Sequence, residues 1–234
     1  MSERPRSVAL VEDDDLRVGW IEGEGEDLWL SFTGISHGMG GLQPEEFAGT
    51  ATGGRAGAVF VTDKRCSWMN AVDLDRLAAA VGPVIAGKRL FAIGNSMGGF
   101  AAVVASKLFP VETCLAFAPQ FSVAPGVIPE ETRWSELRGA IGIWRFVSLA
   151  DQFNDRTRYV LLNGDDEADA RHWRRMPDRA NVHNLVFDGA DHGLARVLKA
   201  DGRLASVVAD ARAGAGDLFE RPEVYGARRV QGLR

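Results

Sequence analysis

Short apolar runs separated by turns rich in Gly, Pro and Asp recur along the chain, and they predict β-strands. The first two runs, at residues 7–11 and 17–22, flank the acidic turn 12–15 and predict a hairpin. Further strands are predicted at 28–33, 58–62, 89–93, 113–117, 158–163 and 182–187. Strands follow one another at the start of the chain, and strands alternate with helical segments after that.

Segments of helical character are predicted at residues 73–86, 99–108 and 194–213. Strands that alternate with helices favour a mostly parallel sheet covered on both faces, and the N-terminal hairpin adds an antiparallel edge. A chain of 234 residues suits one domain of this size. The predicted fold class is therefore α/β, in a single domain over residues 1–234.

Composition and charge restrict the classes of function. The chain is 46% hydrophobic and 25% charged, and its formal net charge of −5 gives no support for a nucleic-acid or anionic-membrane partner. No apolar run reaches the length of a membrane span, and the first residues lack the apolar stretch of a signal peptide. We therefore expect a cytoplasmic protein with no nucleic-acid or membrane partner, and the oligomeric state stays open.

Motifs for cofactors and metals are missing from the sequence. Cys66 and Cys114 are too few and too widely spaced for a disulfide framework or a zinc site. Cys114 lies in an apolar run and is interpreted as a small core residue. Neither a dinucleotide fingerprint nor a paired-histidine metal motif occurs, so we expect no cofactor and no metal.

The most specific local signal is the sequence Gly-Asn-Ser-Met-Gly at residues 94–98, between an apolar strand and an Ala-rich helix. This G-x-S-x-G pattern places Ser96 at the tip of a tight turn. Gly94 and Gly98 are needed because a side chain there would clash with the neighbouring helix or strand. The turn exposes the serine hydroxyl and directs the first N–H groups of the helix at whatever it attacks. Ser96 is thus predicted to be a nucleophile.

A serine nucleophile needs a base within hydrogen-bond reach. Among the four histidines, His192 follows the last predicted strand on a Gly-flanked loop, which places it at the carboxyl edge of the sheet with Ser96. His172 is interpreted as a surface helix residue and His183 as a strand residue facing packing or solvent. His37 lies in a Gly-rich loop. The predicted base is His192.

The group that orients the base is expected on the loop after the strand 158–163. Four acidic residues follow that strand, namely Asp165, Asp166, Glu167 and Asp169. Any of them could instead cap the next helix or interact with its dipole. Asp169, directly before the helical segment, suits the capping role best.

The chain resembles an α/β-hydrolase over about residues 7–213, because Ser96, the acidic loop and His192 occur in the chain order of that fold. In that family the acid often stands three residues after a glycine, which corresponds to Glu167. Aspartate is the commoner acid, which favours Asp166. Both stay candidates for the catalytic acid.

The resemblance also implies an oxyanion hole made by two backbone N–H groups. One is that of Met97, the residue after the nucleophile, and the other is that of Ile35 in the loop after the third predicted strand. Thr33 stands where family members commonly have histidine. Loss of one such donor typically lowers the rate by about 100- to 1,000-fold.

Similar hydrolases carry a cap between the sixth and seventh predicted strands, which here are separated by residues 119–157. We expect a small cap or lid-like insertion. Its aromatic residues Trp134, Trp144, Phe146 and Phe153 either line an acyl pocket or pack small helices onto the sheet. Trp68, in the loop after the fourth predicted strand, is a further candidate for the border of the site.

The C-terminal segment carries Arg221, Arg228, Arg229 and Arg234. It is interpreted as a loosely held, solvated terminus because chain ends commonly fray, and a basic partner-binding tail is the alternative.

The resemblance implies a cofactor-free serine hydrolase that cleaves a carboxylic ester or thioester of a small-molecule acyl substrate through an acyl-enzyme on Ser96. Two alternatives remain: an acyltransferase with the same catalytic residues, and a non-catalytic binding or scaffold protein on the α/β-hydrolase fold. A fold alone does not name a substrate.

Overall fold

A computed structural model describes residues 7–35, 45–51 and 56–231, and its centre is a nine-stranded sheet. The strands are β1 (Val8–Glu12), β2 (Leu16–Ile21), β3 (Asp27–Phe32), β4 (Gly57–Asp63), β5 (Arg89–Asn95), β6 (Val111–Phe117), β7 (Arg158–Gly164), β8 (Val182–Phe187) and β9 (Ala227–Arg229). Their order across the sheet is β1-β2-β4-β3-β5-β6-β7-β8-β9. The eight predicted strands are all present, with ends that differ from the prediction by at most two residues.

Strand pairing follows the predicted pattern. The pairs from β4 through β3, β5, β6 and β7 to β8 are all parallel. The pairs β1–β2, β2–β4 and β8–β9 are antiparallel. The prediction of a mostly parallel sheet with an N-terminal antiparallel hairpin is confirmed. The carboxyl ends of the parallel strands therefore share one edge of the sheet.

Helices connect most of the parallel strands. They are α1 (Ala48–Ala51), α2 (Leu74–Ile85), α3 (Met97–Leu108), α4 (Ser135–Gly139), α5 (Glu167–Trp173), α6 (Leu194–Ala200), α7 (Leu204–Ala213) and α8 (Asp217–Glu220). The predicted helix 194–213 is divided into α6 and α7 around Gly202, whose φ is +72°. Within the described ranges, no helix has the length and apolar character to cross a membrane.

The core lies on both faces of the sheet because alternate strand residues point in opposite directions. In β3, Leu28 and Leu30 pack in one buried cluster with α2 and α3, whereas Trp29 packs in a second cluster. The second cluster also contains the apolar residues of α6 and α7. The predicted cover of helices on both faces is confirmed.

Main chain packs directly on main chain at the turn between β5 and α3. A Cβ atom at Gly94 would collide with the backbone of Gly98, and one at Gly98 would collide with the carbonyl oxygen of Phe32 in β3. Both predicted steric reasons for glycine are confirmed. Between them Ser96 has φ +56° and ψ −120°, a conformation that non-glycine residues adopt only under constraint.

The C-terminal segment is packed, contrary to the expectation of a solvated terminus. Helix α8, the 3₁₀ turn Pro222–Tyr225 and strand β9 fold against the sheet, and Leu218 and Tyr225 are buried. Arg228 makes an ion pair of 3.0 Å with Asp188. The expectation is wrong because these apolar side chains anchor the segment beside β8; Arg234 lies outside the described residues.

The segment between β6 and β7, residues 118–157, contains one short helix, α4, and is otherwise irregular within the described chain. It leaves the carboxyl end of β6 and returns to the amino end of the parallel strand β7, so its first residues lie at the carboxyl edge of the sheet. Its hydrogen bonds therefore bear directly on the candidate site.

We expect Gly98→Ala to lower the free energy of unfolding by about 1–3 kcal/mol or more, because the added methyl meets main chain that has no rotamer with which to yield. The control is Gly82→Ala in α2, where a Cβ atom would meet nothing within 4 Å. That change is expected to be neutral or to stabilise by up to about 1 kcal/mol. Urea unfolding measures both, and equal effects of the two changes would contradict the packing described for this turn.

Candidate active site

Three side chains form a continuous hydrogen-bonded chain at the carboxyl edge of the sheet. The distance from Ser96 Oγ to His192 Nε2 is 2.8 Å, and that from His192 Nδ1 to Asp169 Oδ1 is 2.7 Å. Ser96 lies at the turn between β5 and α3, His192 on the loop after β8, and Asp169 in the first turn of α5. This is the arrangement in which a serine hydroxyl can lose its proton to an oriented imidazole.

Close packing of two loops brings His192 to this position. Gly164 ends β7, and a Cβ atom there would lie 2.6 Å from the carbonyl oxygen of Ala190. That same carbonyl accepts a hydrogen bond of 3.0 Å from the Asp165 N–H. The loop after β8 can therefore lie against the loop after β7, so His192 and Asp169 meet.

The structure does not bring the two predicted acids, Asp166 and Glu167, to His192. Asp166 is the N-cap of α5, where its carboxylate accepts hydrogen bonds from the N–H groups of Ala168 and Asp169. Glu167 is exposed and pairs with Arg174 at 3.0 Å. Because α5 begins at Glu167, earlier than the sequence suggested, Asp169 lies inside the helix and faces His192. The expected capping role thus falls to Asp166, and the contact with histidine falls to Asp169.

Asp169 is buried, and its carboxylate has charged and polar partners. The residue is 3% exposed, and Arg133 Nη1 lies 3.1 Å from the same oxygen that contacts His192. Burial alone would raise the pKa of the Asp169 carboxyl, but the hydrogen bond and charge of His192, together with Arg133, outweigh burial and lower that pKa. Asp169 is therefore held as an anion that can orient His192.

A buried network extends from Asp169 into the segment 118–157. Arg133 also pairs with Glu131 at 2.7 Å, and Glu131 Oε2 lies 2.7 Å from Nε2 of His172. The N–H of Phe121 donates to His172 Nδ1 at 3.1 Å, which assigns the ring proton to Nε2. His172 is buried, so its interpretation as a surface residue is wrong.

The ionisation of this network follows from its contacts. Burial raises the pKa of the Glu131 carboxyl, but hydrogen bonds from His172 and Arg133 outweigh it and leave that pKa lowered. Burial lowers the pKa of His172 by more than Glu131 raises it. The network thus holds a carboxylate, a guanidinium and a neutral imidazole behind Asp169.

Aromatic side chains lie beside His192. The Trp134 ring lies 5.5 Å from the His192 ring and 5.9 Å from the Trp68 ring, centre to centre. Ser96 itself is only 1% exposed. Among the other predicted pocket residues, Phe153 is buried in the core, and Trp144 and Phe146 pack against the core partly exposed.

Sequence reasoning missed Gln120, which contacts Ser96 directly. Its Nε2 donates a hydrogen bond of 2.7 Å to Ser96 Oγ, and its Oε1 accepts one of 3.1 Å from Trp68 Nε1. The available signal was position, since Gln120 follows β6 at the carboxyl edge where ligands bind in open α/β sheets.

The candidate oxyanion-hole residues are Met97, directly after Ser96, and Ile35, in the loop after β3. Met97 is buried, and its amide is the first N–H of α3, which has no carbonyl partner in its own helix. In the loop after β3, the N–H of Thr33 donates to Val61, and the N–H of Gly34 donates to Glu46 Oε2 at 2.7 Å. Ile35 is half-buried and its backbone makes a single β-bridge. His37 lies outside the described residues.

Neither cysteine is a reactive thiol. Cys114 is buried in the core as predicted, and burial raises its pKa. Burial and the charge of Asp63 raise the pKa of Cys66 to about 11. Both groups therefore stay protonated at neutral pH.

Comparisons with known proteins identify the fold. No protein-family model matches the sequence, and no curated protein matches it. The esterase Est2 of Thermogutta terrifontis, solved with butyrate bound, is 15% identical at a TM-score of 0.51, over 88% of this chain and 93% of the esterase. The proline iminopeptidase-related protein of Thermus thermophilus is 15% identical at 0.52, over 85% and 93%. The chain has the α/β-hydrolase fold.

A third similar structure belongs to a group-transfer enzyme. The capsule O-acetyltransferase of Neisseria meningitidis serogroup A is 14% identical at a TM-score of 0.52 and covers 69% of this chain. The match extends over 76% of that acetyltransferase. At these identities the likeness concerns the fold, and the chemistry must be argued from the site.

Glu46 makes stability depend on pH. Burial raises its pKa from 4.5 to about 7, although the N–H of Gly34 partly opposes the shift. Between these values the folded chain holds a proton that the unfolded chain has released, so stability falls as pH rises through this window. We expect Glu46→Gln, which keeps an oxygen for Gly34, to exceed wild type in unfolding free energy above pH 7 by at most about 3 kcal/mol.

Urea unfolding of both proteins between pH 4 and 9 tests this expectation, with the exposed Glu112→Gln as the control for loss of one charge. A Glu46→Gln difference that is the same at pH 4.5 and pH 8 would show that Glu46 does not titrate in this window.

Arg133 is expected to stabilise the fold because it is the shared cation of two buried carboxylates, Glu131 and Asp169. Its side chain is 25% exposed, so we expect Arg133→Met to cost about 1–3 kcal/mol at pH 7. The loss of unfolding free energy in Arg133→Met should be smaller at pH 5, because the carboxylates of Glu131 and Asp169 take up protons more readily at that pH. The exposed pair Arg221–Asp217 provides the control Arg221→Met, expected within about 0.5 kcal/mol of wild type. Equal losses of unfolding free energy in Arg133→Met and Arg221→Met, measured by urea unfolding, would contradict the role of Arg133 in the buried network.

Proposed function

We propose that this protein is a serine hydrolase that cleaves a carboxylic ester or thioester of a small-molecule substrate through an acyl-enzyme on Ser96. The observation that carries the proposal is the unbroken chain from Ser96 Oγ through His192 to Asp169, at 2.8 and 2.7 Å. Those distances fall in the range that proton transfer between a nucleophile and its base requires. Asp169 takes the role that the sequence had suggested for Asp166 or Glu167.

In the first half of the proposed reaction, Ser96 Oγ attacks the substrate carbonyl carbon while its proton moves to His192 Nε2. The carbonyl π electrons move to oxygen, and the backbone N–H groups of Met97 and Ile35 are proposed to donate to that oxyanion. Asp169 stabilises the imidazolium that forms. The intermediate then expels the alcohol or thiol, which takes the proton from His192.

In the second half, water attacks the acyl-enzyme and gives a proton to His192. The new tetrahedral intermediate expels Ser96 Oγ, which recovers that proton from His192. The products are the carboxylic acid and the free enzyme, so all atoms balance without a cofactor. Esterase Est2, which shares the fold and was solved with butyrate, supports a carboxylic ester as the substrate class.

The second candidate function is acyl transfer to an alcohol in place of water. Ser96 is 1% exposed, and Trp134 lies beside His192, so water has restricted access to the acyl-enzyme. The Neisseria meningitidis capsule O-acetyltransferase shows that this fold supports such chemistry in another protein. The same three side chains serve both reactions.

A fluorophosphonate probe followed by intact-mass measurement tests the nucleophile. We expect one adduct on the wild type, none on Ser96→Ala, and labelling slowed by about 1,000-fold or more in His192→Ala and Asp169→Asn. Asp166→Asn, which keeps a capping side chain, and Glu167→Gln are the matched controls and should label at nearly the wild-type rate.

Absence of any adduct on folded wild type would overturn the proposal and favour a non-catalytic binding protein. Slow labelling of Asp166→Asn with normal labelling of Asp169→Asn would refute the assignment of the acid. To separate the two reactions, p-nitrophenyl acetate turnover is followed with and without a polyol acceptor, and the products are analysed. p-Nitrophenol leaves in both reactions; acetate as the sole acetyl-bearing product supports hydrolysis, and acetylated polyol supports transfer.

A further inference from the structure

Gln120 is the one side chain besides His192 that hydrogen-bonds to Ser96 Oγ among the described residues. It is fully buried, it lies three residues after the end of β6, and the proton path from Ser96 to Asp169 does not use it. A buried amide that donates a hydrogen bond of 2.7 Å to the reacting oxygen influences the reactivity of that oxygen.

The orientation of the Gln120 amide is fixed by Trp68. An indole N–H only donates, so the atom that it contacts at 3.1 Å must be the carbonyl oxygen, Oε1. The amide nitrogen therefore faces Ser96. Because that nitrogen only donates, Ser96 Oγ accepts, and the serine proton is directed to His192.

Trp68 is itself held rigidly. The buried carboxylate of Asp63, at the end of β4, accepts hydrogen bonds from the N–H and the hydroxyl of Ser67 and from the N–H of Met69. Trp68 and Met69 have φ values of +51° and +67°, which cost free energy for residues with side chains. The strained loop after β4 thus fixes the indole that orients Gln120.

Two backbone donors of the loop after β3 already have acceptors. The N–H of Thr33 is used by Val61, and that of Gly34 is used by Glu46. Gln120 Nε2 carries two N–H groups, and among the described residues only Ser96 Oγ accepts from them. One N–H at the nucleophile is therefore left without an acceptor in the described part of the chain.

We infer that Gln120 is a catalytic residue that donates through its side-chain amide to the substrate oxyanion on Ser96, in addition to the backbone donors. This inference rests on the proposed acyl-transfer function. The oxygen that gains charge is bonded to the same carbon as Oγ in the tetrahedral intermediate, so a donor in contact with Oγ lies beside it. The serine proton has by then moved to His192, and no further group is consumed.

The test compares Gln120→Glu and Gln120→Met with wild type, using p-nitrophenyl acetate for kinetics and phenylboronic acid as a tetrahedral adduct. Gln120→Glu keeps the shape and the acceptor for Trp68 but replaces the donor nitrogen with oxygen. Loss of a donor to the transition state should lower kcat by about 100- to 1,000-fold with KM nearly unchanged. Boronic acid affinity should fall in parallel, and Trp68→Phe, which releases the amide, should give a smaller loss in both.

Thermal unfolding of each variant accompanies the kinetics, so that a folding defect is recognised as such. If the wild type turns over the substrate and kcat of both Gln120 variants lies within about threefold of the wild-type kcat, the inference is overturned. The proposed function then stays intact. A loss that appears in KM and in thermal stability, with kcat unchanged, would also overturn it, because Gln120 would then serve packing. Absence of turnover and of fluorophosphonate labelling in wild type would instead refute the proposed function itself.

Discussion

The direct contact between main chain at the start of α3 and main chain in β3 is the constraint on which the candidate site depends. Gly94 and Gly98 have no side chains to separate these elements, and any Cβ atom there would collide with backbone. The turn is held from the other side by the Ser96 N–H, which donates to Phe117 in β6 at 2.8 Å. Ser96 is therefore fixed between three strands, at an edge where the loops after β7 and β8 bring Asp169 and His192.

Most of the sheet could be predicted because its strands are apolar runs whose alternate residues face two helical layers. Strand β9 could not, since its sequence Ala-Arg-Arg has no strand pattern. Its position depends on Leu218 and Tyr225, which bury against the sheet and carry the following residues to β8. Such an element is determined by tertiary contacts and has no local signal.

The candidate site divides in the same way. Ser96 and His192 stand in local patterns, a Gly-flanked turn and a Gly-flanked loop after a strand, so the sequence located both. Several carboxylates compete to cap α5, and the one that faces inward depends on where that helix begins, which packing decides. Gln120 belongs to a segment with little regular structure, and it reaches Ser96 only through contacts between distant parts of the chain.

The three-residue strand β9 also determines how the sheet meets other molecules. An exposed edge strand offers unpaired N–H and C=O groups to which a strand from another chain can add. Here the edge is short, and Arg228 and Arg229 are exposed on it, the first paired with Asp188. At the opposite edge, the pairing of β1 is interrupted between Ala9 and Val11. Each edge therefore offers an incoming chain a poor template, which protects a sheet of this size from aggregation by strand addition.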